Sequence, residues 1–199
     1  MKILVAGSTG NTGQRLVHEL KERGHDPVAM VRDNSDTSGL PEGVEQRIDD
    51  LADLSDSVVD GCEVVIFAAG SGGDTSAEMT DKIDRDGAKA LIDQSVAKGV
   101  RRFVMLSSIG AGDPDPDSDL AHYLQAKHEA DEHLMKTDLE YAILRPVALT
   151  DDGPTGEIRL GDNVDPKGEA ARGDVAKVLA DAAESPDWVG KVLAMETIS

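Results

Sequence analysis

The opening residues of the chain admit very few folds. Lys2-Ile3-Leu4-Val5-Ala6 is a short apolar run with the character of a buried strand. It breaks into Gly7-Ser8-Thr9-Gly10-Asn11-Thr12-Gly13, and a helical pattern follows through Gln14-Arg15-Leu16-Val17-His18-Glu19-Leu20. Strand, glycine-rich turn and helix start, in that order, present free backbone N–H groups and the positive end of a helix dipole to a diphosphate. The glycines divide three tasks: a sharp turn, close approach of backbone to phosphate, and close packing of helix on sheet. Three glycines can also make a mere loop, but their place after the first strand and at a helix start points to dinucleotide binding. Gly7, Ser8, Thr9, Gly10, Asn11, Thr12 and Gly13 are therefore candidate cofactor contacts.

The glycine spacing is G-x-x-G-x-x-G rather than the G-x-G-x-x-G of the older dehydrogenase fingerprint. It resembles the short-chain dehydrogenase/reductase superfamily in its extended and atypical branches.

Composition bounds the function. The 199 residues suit one domain, 1–199, with a core of useful size. A formal charge of −19, from 39 acidic against 20 basic residues, argues against a nucleic-acid-binding surface. Few aromatics and a dense carboxylate surface fit a protein of a high-salt cytoplasm, where salt screens the repulsion; an ordinary acidic soluble protein is the plainer alternative. Cys62 is alone, so it forms no intramolecular disulfide and is expected to pack as a small apolar residue. The chain enters its first strand at once and carries no apolar run of membrane-spanning length, so a cytoplasmic protein without a signal peptide or membrane partner is expected.

Further strands are expected over 26–31, 44–48, 63–70, 101–107, up to Leu144-Arg145-Pro146, and over 191–195; that of 101–107 has the continuous apolar centre of a strand covered on both faces. Gly24 reads as the stop of the first helix. Arg32 stands at the end of the second strand, where a guanidinium fork suits a 2′-phosphate and an acidic residue would suit a 2′-hydroxyl. Asp33 beside it could neutralise Arg32 or serve the ribose itself. NADP is the expected cofactor, with NAD the alternative. In the resembling families an Asp-Leu pair lies near the adenine, and Asp50-Leu51 match it, although a helix cap followed by a core leucine would look the same. Ala68-Ala69-Gly70 ends the fourth strand in small residues that leave space for the cofactor, and Ser71-Gly72-Gly73 follows as a flexible connection. A helix is expected over most of 76–98, with Ile83, Ala88, Leu91, Ile92 and Val96 on its apolar face. Asp84-Arg85-Asp86-Gly87 within it resembles a segment of small atypical members; on the residues alone it is a polar helix face.

Two metal readings fail. The run Asp113-Pro114-Asp115-Pro116-Asp117-Ser118-Asp119 lacks the glycine and the closing glutamate of a calcium loop. His122, His128 and His133 share no helix face at the 3.6-residue period.

The chemistry is expected at Tyr123-Leu124-Gln125-Ala126-Lys127. Positions i and i+4 of a helix are neighbours, so Tyr123 and Lys127 project together. A nearby ammonium favours phenolate, which would bring a tyrosine toward acid–base work at neutral pH, and the lysine can also hold the nicotinamide ribose. Ser108, with Ser107 as the fallback, would hydrogen-bond the substrate oxygen, giving Ser108, Tyr123 and Lys127 as catalytic candidates. The plainer reading is that the serines end a strand, Tyr123 packs and Lys127 is solvated. Arg145-Pro146 correspond to a segment that borders the nicotinamide and substrate in atypical and extended members. Thr155-Gly156-Glu157-Ile158 reads as a small hairpin, and Gly173-Asp174-Val175-Ala176 opens a helix over Val175, Val178, Leu179 and Ala182.

The resemblance thus covers nearly the whole chain and points to the small NmrA-like, NAD(P)H-binding group of atypical short-chain dehydrogenase/reductases, related to biliverdin and flavin reductases. It implies one doubly wound Rossmann α/β domain, a parallel sheet of six or seven strands ordered 3-2-1-4-5-6, and a minimal substrate-side segment at about 146–170. The sequence departs from relatives at Val147, where glycine is common, and lacks the large substrate lobe of sugar-nucleotide epimerases and dehydratases. The leading expectation is an NADP-dependent oxidoreductase acting on a small molecule, as monomer or homodimer. A non-catalytic redox sensor is the alternative, and an epimerase- or dehydratase-like activity the third.

Overall fold

In the computed structural model, which describes residues 1–70 and 76–198, strands and helices alternate along the chain. The apolar run at the start is β1 (Lys2–Ala6), buried from Ile3 onward, and the amphipathic pattern after the glycine turn is α1 (Asn11–Glu22). Gly24, at φ +80°, stops that helix in a conformation L side chains resist. Then come β2 (Asp26–Val31), β3 (Glu45–Ile48) and β4 (Val64–Phe67). The Ser71-Gly72-Gly73 connection lies outside the described residues.

A helical stretch follows as α2 (Ala77–Thr80), a π-helical segment (Asp81–Gly87) and α3 (Ala88–Ala97). Ser76 caps its start, with Oγ accepting from the Met79 N–H at 3.3 Å. Ala88, Leu91 and Ile92 face the core as their spacing predicts. Val96 does not: it is 47% exposed, and Ser95 takes the buried position with its hydroxyl satisfied by the Leu91 carbonyl. The chain continues through β5 (Arg102–Leu106), α4 (Ala121–Met135), β6 (Glu140–Pro146), β7 (Ala148–Thr150), β8 (Ile158–Leu160), β9 (Glu169–Ala171), α5 (Arg172–Glu184) and β10 (Lys191–Thr197).

The main sheet runs β3-β2-β1-β4-β5-β6-β10-β8. Seven strands are parallel, in the order the sequence implies, and β8 adds an antiparallel edge. The hairpin expected at 155–158 does not close on itself, because Ile158 pairs instead with Thr197 of β10. β7 and β9 form a separate parallel pair. Leu16, Val17 and Leu20 of α1 pack with Val175, Val178 and Leu179 of α5 on one face. Leu91 and Ile92 of α3 pack with Ala130 and Leu134 of α4 on the other, in the same cluster as Cys62, whose thiol burial pushes to a higher pKa. β4 and β5 are buried at every position, as strands covered on both faces must be.

Strand order reverses between β1 and its two sides. The carboxyl ends of β1, β4 and β5 therefore open onto a crevice, the place where doubly wound folds bind ligands. Among the described residues no helix is long and apolar enough to cross a membrane.

Candidate active site

A cleft of about 730 Å³ occupies that crevice. Its floor is the glycine turn. Gly7 sits at φ +83°, and a Cβ there would lie 2.6 Å from the backbone of Ala69, so the residue serves both the turn and the approach of β4. A Cβ on Gly13 would lie 2.0 Å from the Gly7 carbonyl oxygen, which fixes the packing of α1 on its own entry turn. Gly10 caps α1 without any side-chain hydrogen bond, and the first turn carries no acidic residue. No side chain among the described residues accepts from the orphan N–H groups of that turn, which suits them to an anion from a ligand. Gly7, Thr9, Gly10, Asn11 and Thr12 line the cleft. Ser8 and Gly13 do not: Ser8 is fully buried, its hydroxyl donating to the Met30 carbonyl at 2.6 Å and tying the turn to β2.

The outer end of the cleft lies beyond β2. Arg32 lines it opposite Asp50 and Leu51. Its backbone N–H donates to Ser35 Oγ at 3.0 Å, while its guanidinium makes no hydrogen bond or ion pair among the described residues. Asp33 does not neutralise it. Asp50 accepts from the Ala52 N–H at 2.9 Å, and the buried Asp49 accepts from the Asp50 and Ser55 N–H groups at 3.0 Å each, so this turn is held by its own carboxylates.

The inner end is walled by Ala68, Ala69 and Gly70 after β4, by Leu106 and Ser107 at the end of β5, and by Tyr123 and Lys127 of α4. Met79 and Ile83 add an apolar side. Lys127 is not solvated. Its ammonium is 2.9 Å from Asp84 Oδ1 and donates to the carbonyls of Ala69 at 3.3 Å and Leu106 at 3.4 Å. Burial favours the neutral amine, but Tyr123, Asp84 and Asp131 outweigh it and hold the Lys127 pKa above the ordinary lysine value.

The serine that lines the cleft is Ser107, not Ser108. Ser107 Oγ donates to Asp131 Oδ2 at 2.8 Å, and the same oxygen accepts from Arg145 Nε at 3.0 Å and its terminal amine at 2.9 Å. Asp131 Oδ1 is buried without a hydrogen-bond partner among the described residues, and burial pushes the Asp131 carboxyl up in spite of Arg145 and Ser107. Ser108 is half-buried and not among the lining residues, and its carbonyl accepts from the Ala111 N–H. Arg145 and Pro146 do not line the cleft either. Arg145 is spent on Asp131, and Pro146 continues the sheet beside Met195.

The sequence reading missed Asp84 and Asp131, which lie on polar-looking helix faces, and Arg172, the first residue of α5. Arg172 lines the cleft and donates to Asp151 Oδ1 at 3.0 Å, and Asn11 Nδ2 donates to that same carboxylate oxygen at 3.2 Å. For Asp84 the local hint is the Asp84-Arg85-Asp86-Gly87 segment itself, which resembles one of small atypical members. A Cβ on Gly87 would lie 2.8 Å from the Leu51 carbonyl, so this helix passes unusually close to the cleft's outer turn.

A family model described as NAD(P)H-binding matches residues 7–186, a span that takes in the glycine turn, Tyr123, Lys127 and Arg172. The chain belongs to this NAD(P)H-binding family. It is 34% identical over 187 residues to the uncharacterized sugar epimerase YhfK of Bacillus subtilis, covering 90% of this chain and 86% of that one. A solved structure from Bacillus halodurans, named as an NAD-dependent epimerase/dehydratase, superposes with a TM-score of 0.92 at 34% identity, over 100% of this chain and 95% of that one. The oxidoreductase ylbE of Lactococcus lactis superposes with a TM-score of 0.88 at 30% identity, over 100% and 92%. The open α1 terminus and the small residues ending β4 fit the nicotinamide dinucleotide that the family binds.

Proposed function

We propose that the protein is an NADP-dependent oxidoreductase that reduces a carbonyl or similar unsaturated group of a small molecule, with Tyr123 as the proton donor. The observation that carries this reading is the distribution of donors at the inner end of the cleft. Lys127 pairs with Asp84 and donates to two carbonyls, and Ser107 donates its hydroxyl to Asp131, whereas the Tyr123 hydroxyl has no hydrogen-bond partner among the described residues. A reduced nicotinamide, when bound, supplies hydride to the substrate carbon. Tyr123 gives its phenolic proton to the substrate oxygen, so the carbonyl gains a hydride and a proton and becomes an alcohol. The α1 terminus holds the diphosphate, Arg32 the 2′-phosphate, and Asp50 and Leu51 border the adenine. Met79 and Ile83 favour a substrate with an apolar face.

A screen of small carbonyl compounds, followed by NADPH absorbance, tests the reading. Turnover with at least one class is expected, and NADPH binding without any turnover favours the second reading, a redox sensor. The pairing of Lys127 with Asp84 is the observation on the sensor's side.

The acidic surface supports a high-salt cytoplasm as the setting, with the protein acting as monomer or homodimer and without nucleic acid. If so, the melting temperature rises steeply from dilute buffer to molar KCl as screening relieves self-repulsion. A flat dependence returns the charge to ordinary solubility.

A further inference from the structure

We infer that Arg172 is a binding residue for the diphosphate of the dinucleotide, and that Asp151 occupies its grip until the dinucleotide takes that place. The inference rests on the NAD(P)H reading of the cleft and adds to it a residue from far along the chain. Arg172 opens α5 and Asn11 opens α1, and both line the cleft. Their side chains meet on one oxygen: Asp151 Oδ1 accepts from Arg172 Nη1 at 3.0 Å and from Asn11 Nδ2 at 3.2 Å. Arg15 Nη2 holds the same residue a second time, donating to the Asp151 carbonyl at 2.8 Å. Two helix starts and a guanidinium thus converge on a single carboxylate. That carboxylate stands on a stretch without regular structure, 151–157, and its side chain is 67% exposed.

Charge explains why a ligand would compete for this place. A diphosphate diester is a dianion, whereas the start of one helix offsets only about half an elementary charge. The cations lining the cleft are Arg32 at its outer end, Lys127 paired with Asp84 at its inner end, and Arg172 beside the start of α1. Arg172 is therefore the cation placed to complete the charge at the glycine turn. Asp174, the acid in the first turn of α5, does not cancel it, because its carboxylate accepts from the N–H groups of Thr155 and Gly156. A guanidinium carries five N–H donors in a planar fork that suits phosphate oxygens. In Arg172 the bond to Asp151 and a long one of 3.5 Å to the Leu149 carbonyl both come from Nη1. Nε and Nη2 make no hydrogen bond among the described residues, so the fork can take phosphate oxygens as Asp151 gives way.

The test is calorimetric titration of NADPH, NADH and adenosine 2′-monophosphate, which lacks the diphosphate, into wild type, Arg172→Gln, Asp151→Asn and Asp152→Asn. Arg172→Gln should weaken NADPH and NADH alike, about tenfold or more, and leave the monophosphate within about twofold of wild type. Asp151→Asn breaks the same ion pair but should strengthen both dinucleotides, about threefold at low salt. A pair that merely holds the 151–157 stretch would weaken binding in both variants, and that result overturns the inference. Asp152→Asn removes a charge from the neighbouring exposed residue. A gain equal to that of Asp151→Asn assigns the effect to long-range repulsion and overturns the inference as well. Unchanged dinucleotide affinity in Arg172→Gln removes Arg172 from the diphosphate, even if the KM of a carbonyl substrate rises. Asp151 is exposed, so its variant decides the matter if Arg172→Gln does not fold: NADPH binding no tighter than wild type then overturns the assignment. If the wild type binds neither dinucleotide, the cofactor reading itself fails; wild-type binding with an unaffected Arg172→Gln removes this inference alone.

Discussion

The two ends of the cleft are built in different ways. The diphosphate end is local: Gly7, Gly10 and Gly13 lie within one turn, and backbone sterics alone explain two of them. The inner end is assembled from far along the chain. Ser107 is held by Asp131 and Arg145, and Lys127 by Asp84, so strands β5 and β6, helix α4 and the π-helical segment all contribute. A locally built site is fixed by conformation and is hard to change without breaking the fold. A site assembled from buried charges is fixed by pairing and can be dissected one group at a time.

The sharpest way to test that contrast is Tyr123→Phe. It removes only a hydroxyl from the inner end, so the fold and NADPH affinity should survive while turnover falls about a hundred- to ten-thousandfold, the usual contribution of a positioned general acid. Single-turnover NADPH oxidation at the wild-type rate would remove Tyr123 from proton transfer. At the local end the opposite behaviour is expected. Gly13→Ala drives a Cβ into the Gly7 carbonyl and should cost about 3 kcal/mol of stability, a cost at the upper end for overpacking, whereas Gly10→Ala meets that carbonyl at 3.4 Å and should leave the melting temperature nearly unchanged. Equal losses for the two alanines, read by denaturant unfolding, would break the steric account.

Arg32→Ala probes the outer margin. A hydrogen bond to a charged group contributes about 1.5–3 kcal/mol, so NADPH binding should weaken roughly ten- to a hundredfold while NADH binding changes little. An equal loss for both cofactors, by titration calorimetry, would detach Arg32 from the 2′-phosphate.

The smallest effect belongs to the segment that packs on α5. Asp174 is buried, but the N–H groups of Gly156 and Thr155 and the hydroxyls of Thr197 and Thr155 bind its carboxylate and hold its pKa below the ordinary 3.8. A depressed carboxylate pKa contributes stability above the ordinary value, and that stability is lost as pH falls through the depressed one. Asp174→Asn should therefore lower the melting temperature modestly at neutral pH, with the difference closing as pH falls below 3.8. A gap that is constant with pH would assign the loss to packing instead of charge.

These differences follow what each signal in the sequence can carry. Apolar runs such as Val64-Val65-Ile66-Phe67 announce buried strands because the hydrophobic effect acts on every residue in the run. The i, i+4 spacing of Tyr123 and Lys127 follows from helix geometry alone. Asp84 and Asp131 look like solvated helix positions, since nothing in their own segments shows that a lysine or an arginine will be brought against them. Ser107 and Ser108 are adjacent and chemically identical, and only the sheet decides which one meets the cleft.

The sequence by itself determined the buried strands, the glycine turn and the pairing of Tyr123 with Lys127 on one helix face, because these depend on backbone sterics, helical period and burial of contiguous apolar side chains, whereas the strand order came from the family resemblance. The tertiary structure alone decided that Ser107 rather than Ser108 reaches the cleft, that Arg145 serves Asp131, and that Arg172 joins Asn11 across Asp151. It also decided that Lys127 pairs with Asp84. Buried charges and hydroxyls must find partners when water is removed, and which partners they find depends on the elements that the packed core sets side by side.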